Sequence, residues 1–211
     1  MSLIKWTTRN IPTSDVKGPD GKVGFVSSRK VLLVGDPDVG KTTLVKSYLD
    51  WKRDDSYSIP CSQPKFYFDE YYTEFLFWDQ IKSVIFYDIQ EGYEDRAIIS
   101  PVMCMGLNLV VLCFSIDDPD SLENVQEVWC PRIDVFLPYV PKILVGLKSD
   151  LGKEQFISQD TLDMDMDISL DAIDIMERHG ICYYLECSSL TGVGTYNLIS
   201  TIFCTPQNVG L

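Results

Sequence analysis

The 211-residue sequence has no apolar run near the 18 or more residues that a membrane span requires. Its longest apolar stretches, residues 31–34 and 109–114, have the length of strands. It also lacks positive charge: 18 lysines and arginines stand against 31 acidic residues, a formal net charge of −13. That balance argues against nucleic acid or an anionic membrane as a surface partner, because both would be repelled. It says nothing against a phosphate pocket, where a few local donors decide. The seven cysteines, at positions 61, 104, 113, 130, 182, 187 and 204, form no C-x-x-C pair. Disulfides and a zinc site are thereby disfavoured, and free, buried thiols in a reducing compartment are expected. The first residues lack the apolar core of a secretory signal, so a cytoplasmic location is expected. No internal repeat is visible.

What is present suits one soluble domain: 45% of the residues are hydrophobic and 23% charged, enough to build a core and too apolar for disorder. Residues 1–28, with turn material at Gly18-Pro19-Asp20-Gly21, read as a mobile extension ahead of a domain over 29–204 and a short tail over 205–211. Strands are predicted over 30–35, 71–78, 83–88, 108–115, 142–146 and 182–186, with a turn at Asp79-Gln80. Helices are predicted over 41–49, 122–136, 170–179 and 195–203. Apolar runs without alternation, separated by helices, describe an α/β fold with a mainly parallel sheet covered on both faces. In such folds ligands bind beyond the carboxyl ends of the strands.

Gly35-Asp36-Pro37-Asp38-Val39-Gly40-Lys41-Thr42 follows the first strand, opens the first helix and matches G-x-x-x-x-G-K-[ST]. The glycines allow the backbone to wrap closely, so that successive N–H groups point at phosphates. Lys41 neutralises the β and γ phosphates, and the Thr42 hydroxyl can ligate Mg²⁺. Pro37 brings no N–H and Asp38 places a carboxylate beside a polyanion, both unfavourable for affinity.

The segment Cys113-Phe114-Ser115-Ile116-Asp117-Asp118-Pro119-Asp120-Ser121-Leu122-Glu123-Asn124 closely resembles the stretch after the fourth strand of Rho-family small GTPases. Trp129-Cys130-Pro131 and Val140-Pro141-Lys142-Ile143-Leu144-Val145-Gly146 do so as well, and the resemblance extends over about residues 29–204. It implies a P-loop nucleotide-binding fold with a six-stranded sheet, GTP or GDP with Mg²⁺ as cofactors, and a Rho-type insert near 152–167. It also implies a nucleotide site formed by Gly35, Asp38, Val39, Gly40, Lys41, Thr42, Thr43, Lys148, Asp150, Ser188 and Ser189. Thr42 and Asp88 are the implied metal residues, and Tyr67, Phe68, Asp69, Glu70 and Tyr71 resemble the effector-binding segment. In the family's Asn-Lys-x-Asp motif the Asp reads guanine; here the motif is Leu147-Lys148-Ser149-Asp150, and leucine cannot supply the Asn contact. The last box, usually Ser-Ala-Lys, is Ser188-Ser189-Leu190.

The switches depart further. The first-switch threonine position falls on Phe66, and the alternative anchor Tyr57-Ser58-Ile59-Pro60 is followed by Cys61. The second switch, normally Asp-x-x-Gly-Gln, reads Asp88-Ile89-Gln90-Glu91-Gly92-Tyr93. Gln90 is the one catalytic candidate, but at the wrong offset to position water. Two readings stay open: a guanine-nucleotide switch with slow or impaired GTP hydrolysis, signalling to the actin cytoskeleton by family analogy, or a pseudo-GTPase scaffold. A monomer with protein effectors, exchange factors and activating proteins as partners is expected. Asp163, Asp165, Asp167, Asp171 and Asp174 imitate a calcium loop, but Ile168 stands at the turn-glycine position, so a solvated acidic insert is expected. His179, the only histidine, falls at a helix end remote from the phosphate loop. The sequence ends without a basic stretch or prenylation box, so membrane attachment is expected only if the native C-terminus is longer and lipidated.

Overall fold

The structure, a computed structural model, describes residues 28–50, 68–77, 80–89, 92, 106–152 and 168–206. Residues 1–27 of the expected N-terminal extension and almost the whole expected insert lie outside these residues, and Ser28 already belongs to the first strand. In chain order come strand β1 (Ser28–Val34), helix α1 (Lys41–Asp50), and strands β2 (Phe68–Phe77), β3 (Gln80–Ile89) and β4 (Leu109–Ser115). Helix α2 (Pro119–Asn124), a π-helical turn (Val125–Trp129) and helix α3 (Cys130–Phe136) then run on without a break. Strand β5 (Lys142–Leu147), helix α4 (Ile168–His179), strand β6 (Tyr184–Glu186) and helix α5 (Thr195–Cys204) complete the domain.

The six strands form one sheet in the order β2-β3-β1-β4-β5-β6. Only β2 and β3 pair antiparallel. This is the predicted α/β sheet, and its pleat explains the unbroken apolar runs. Leu32, Val34, Leu112 and Phe114 enter one core cluster, with Leu122, Ile133, Ala172 and Ile175 from the helices over that face. Val31, Leu33, Val111 and Cys113 enter the other, under Leu44, Val45, Leu198 and Ile202 of α1 and α5. Each fully buried Leu, Ile or Phe stabilises the fold by roughly 1.5–3 kcal/mol. The expectation of buried thiols holds for Cys113, Cys130 and Cys187, whereas Cys182 and Cys204 are exposed. Burial pushes the Cys130 and Cys187 thiols up to about 12, which keeps them unreactive.

Several predicted boundaries need correction. β2 begins at Phe68 and β3 at Gln80, because the antiparallel ladder runs from Phe68 opposite Ile89 to Phe77 opposite Gln80. The predicted helix over 122–136 begins at Pro119, whose fixed φ and missing N–H suit the first helical turn. It is also interrupted. Pro131 cannot donate to the carbonyl four residues earlier, and the preceding turn widens so that the Cys130 N–H donates to the Val125 carbonyl. Residues beyond 204 are not all tail: Thr205 is buried, and Arg29 Nη2 donates to the carbonyls of Phe203 (3.1 Å) and Thr205 (3.0 Å). A cation there complements the negative end of α5.

Candidate nucleotide-binding site

The carboxyl ends of β1 and its neighbours β3 and β4 meet where the strand order reverses, the place where open α/β sheets bind ligands. β1 leads into Gly35, whose φ of +145° suits glycine; an added Cβ would lie 2.1 Å from the Cys113 carbonyl oxygen on β4. No other residue fits without moving β4. Asp38 (φ 59°) and Lys148 (φ 57°) are the two non-glycine residues with left-handed backbone among the described residues. Both lie in loops the sequence assigned to nucleotide, and such backbone concentrates at functional sites.

Around the loop opens a cleft of about 250 Å³, lined by Gly35, Pro37, Asp38, Lys41 and Thr42, by Asp69 of β2, Asp88 of β3, and Trp129. Lys41 Nζ donates to the carbonyls of Gly35 (2.8 Å) and Asp36 (2.6 Å), so the ammonium spans the loop at the cleft. The Thr42 hydroxyl donates to Asp88 Oδ2. Asp88 Oδ1 is buried and has no hydrogen-bond partner among the described residues. Burial pushes the Asp88 carboxyl up from its ordinary value, the Thr42 hydrogen bond and Lys41 oppose this, and Asp69 adds to the rise. Hard oxygen donors with one buried carboxylate oxygen unsatisfied fit Mg²⁺, which takes one or two carboxylates alongside phosphate oxygens.

Asp36 turns away from the cleft. Its Oδ2 accepts from Asn124 Nδ2 (2.6 Å) and its Oδ1 from Trp129 Nε1 (2.7 Å). The widened turn ahead of Pro131 carries Trp129, so a local helix irregularity helps to fix the phosphate loop. Sequence reading did not anticipate this tie. Its partners are 88 and 93 residues apart, and no local pattern signals it.

At the other end, β5 delivers the Leu147-Lys148-Ser149-Asp150 motif. Leu147 is buried, and a Cβ placed at Gly40 would meet its Cδ1 at 3.7 Å. The leucine thus packs beneath the phosphate loop where the family's Asn would hydrogen-bond. Lys148 Nζ lies 3.4 Å from Asp117 Oδ1, whose carboxyl is held below its usual value by the Ser115 hydroxyl and, secondarily, by Lys148. The Ser149 N–H donates to the Cys187 carbonyl (3.3 Å), bringing this loop beside Ser188. Ser188 is buried and its Oγ accepts from the Thr191 N–H (3.1 Å), while Leu190 is 84% exposed. The structure therefore groups Gly35, Asp38, Lys41, Thr42 and Asp88 in one cleft and places the Lys148–Asp150 and Ser188–Ser189 loops side by side. Val39 is buried under the loop and Thr43 is exposed on α1.

Of the expected effector segment, Asp69 and Glu70 are exposed on the edge strand and Tyr71 is half-buried. Phe68 is a core residue, packed edge-to-face on Tyr87 at 5.2 Å. Tyr67 and Gln90 lie outside the described residues. His179 Nδ1 sits 3.5 Å from Asp134 Oδ2, at the end of α4.

A small nucleotide-binding domain of this topology, with a phosphate loop after its first strand, defines the class. A sequence profile of the Ras family matches residues 30–205, and the chain belongs to that family of small GTPases. Its relatives include the GTP-binding protein RHO1 of Eremothecium gossypii, 34% identical over 168 residues that cover 79% of this chain and 78% of that protein. The GTP-binding protein Rho1 of Kluyveromyces lactis is 33% identical over 176 residues, 82% of this chain and 81% of that protein. Membership gives guanine nucleotide as the ligand class, and regulators and effectors as the general class of partner. No helix among the described residues is long and apolar enough to cross a membrane.

Proposed function

We propose that this chain is a Rho-like guanine-nucleotide switch that holds its nucleotide firmly at the phosphates, less firmly at the base, and hydrolyses GTP slowly. The observation that carries this reading is the cleft itself: Lys41, Thr42 and Asp88 converge on one side of a loop that Gly35 holds against β4. In this reading the N–H groups of Val39, Gly40, Lys41, Thr42 and Thr43 face phosphate, as at the start of any such helix. Thr42 and Asp88 would hold Mg²⁺, which would neutralise phosphate charge. Asp150 accepts from guanine, Lys148 covers the base, and Ser188 and Ser189 close the pocket.

Slow hydrolysis follows from the second switch, where the glycine is displaced by one and the residue after Gly92 is Tyr93 in place of the water-orienting glutamine. Bound GTP therefore stays intact, and the signal persists until the nucleotide dissociates. Glu70, exposed on the edge strand, offers partners an acidic side chain. The likeness to Rho proteins supports effectors that act on the actin cytoskeleton.

Denaturing purified protein and identifying the released nucleotide tests the first part, and single-turnover hydrolysis of added GTP tests the second. Guanine nucleotide released, with GTP still intact after an hour, is the expected result. Recovery of adenine nucleotide would sink the reading, and hydrolysis within minutes would remove its slow step.

A further inference from the structure

The cleft contains two carboxylates, and the family's cation site accounts for only one. Asp69 lies directly across the antiparallel ladder from Asp88 and lines the same cleft as Thr42. Residues paired this way share a face of the sheet, with Cβ atoms roughly 4.5–5.5 Å apart, and like charges there repel. Asp88 is only 4% exposed, and its Oδ1 has no partner among the described residues. A buried, unsatisfied carboxylate oxygen on a residue paired across the ladder with a second carboxylate is an arrangement that a divalent cation would resolve. The first switch, meanwhile, offers no threonine at the position that would otherwise complete the cation's ligands.

We propose that Asp69 is a further ligand of the divalent cation held by Thr42 and Asp88, supplied from a strand where the first switch has no threonine. The inference rests on the cation-binding role given to Thr42 and Asp88, and it extends that role. A loop hydroxyl engages the metal only when the γ phosphate orders the loop. A carboxylate on a paired strand is already in place, held by the ladder from Phe68 to Phe77. The protein then supplies cation ligands of its own even when no nucleotide is bound.

Mn²⁺ is the probe, because the free ion is read directly by electron paramagnetic resonance. It is titrated into the full chain in two states, GDP-loaded and stripped of nucleotide. Asp69→Asn is expected to weaken Mn²⁺ binding about tenfold or more in both states, the scale on which supporting groups act at metal sites. Asp120→Asn removes the same charge from an exposed position on α2 and should leave Mn²⁺ affinity unchanged. Equal Mn²⁺ affinity in Asp69→Asn and wild type overturns the proposal. Thr42→Ala and Asp88→Asn separate the two levels. If they weaken Mn²⁺ binding and Asp69→Asn does not, only the role of Asp69 fails; if none of the three does, the cation site fails with it.

Discussion

At the phosphate end of the cleft, side chains from distant parts of the chain are fastened to one loop. Lys41 spans it, Asn124 and Trp129 hold Asp36, and Thr42 is tied to Asp88. At the base end, apolar groups stand where the family uses polar ones: Leu147 packs under Gly40 and Leu190 projects into solvent. The difference separates holding from selecting. Phosphate binding uses backbone N–H groups and charge, which survive many substitutions; base recognition uses individual side-chain atoms, which do not.

Lys41→Ala should break the phosphate end most severely. It removes the cation from the cleft and the bridge between two loop carbonyls, at about 3 kcal/mol or ~100-fold faster release of fluorescent GDP. Stopped-flow displacement measures it, and a change below threefold would contradict the assigned role. Asp150→Ala should act on selection: GDP affinity falls by about 2 kcal/mol while ADP affinity barely moves. Isothermal titration with both nucleotides checks this, and an equal loss for ADP would show that Asp150 does not read the base.

Trp129→Phe tests the tie between helix and loop. It deletes one donor to Asp36 and keeps the ring in a site only 4% exposed. About 1 kcal/mol, or roughly fivefold faster GDP release, is expected. An unchanged rate would mean that Asn124 alone suffices.

The smallest effect is one of pH. The Asp117 carboxyl is held below its ordinary 3.8 chiefly by the Ser115 hydroxyl, against partial burial, with Lys148 contributing. A lowered carboxyl pKa stabilises the fold above the unfolded value, and the contribution disappears as pH falls through the folded value. The melting-temperature advantage of wild type over Asp117→Asn should therefore be steady near neutrality and shrink as pH drops below about 4. A gap that widens on acidification would contradict the assignment.

The sheet was legible because burial on both faces writes itself as unbroken apolar runs, as in β4, where all seven residues are buried. Gly35, Lys41 and Thr42 were legible because a phosphate loop is continuous in sequence. The widened turn was not, because one proline inside an apolar helix pattern does not reveal whether the helix stops, kinks or swells. The grip on Asp36 and the facing of Asp69 with Asp88 come from strand register and helix placement, which no local pattern encodes. Phe68 misleads for the same reason: its neighbours in sequence read as a docking surface, while the pleat turns it into the core against Tyr87.

The most direct test of a site firm at the phosphates and looser at the base is the ratio of ADP to GDP dissociation constants for the full-length protein in Mg²⁺. With Asp150 in place and Leu147 substituting for Asn, GDP should bind tighter by about ten- to a hundredfold, the worth of one or two charge-assisted hydrogen bonds. Equal affinity, or tighter ADP, would contradict a guanine site.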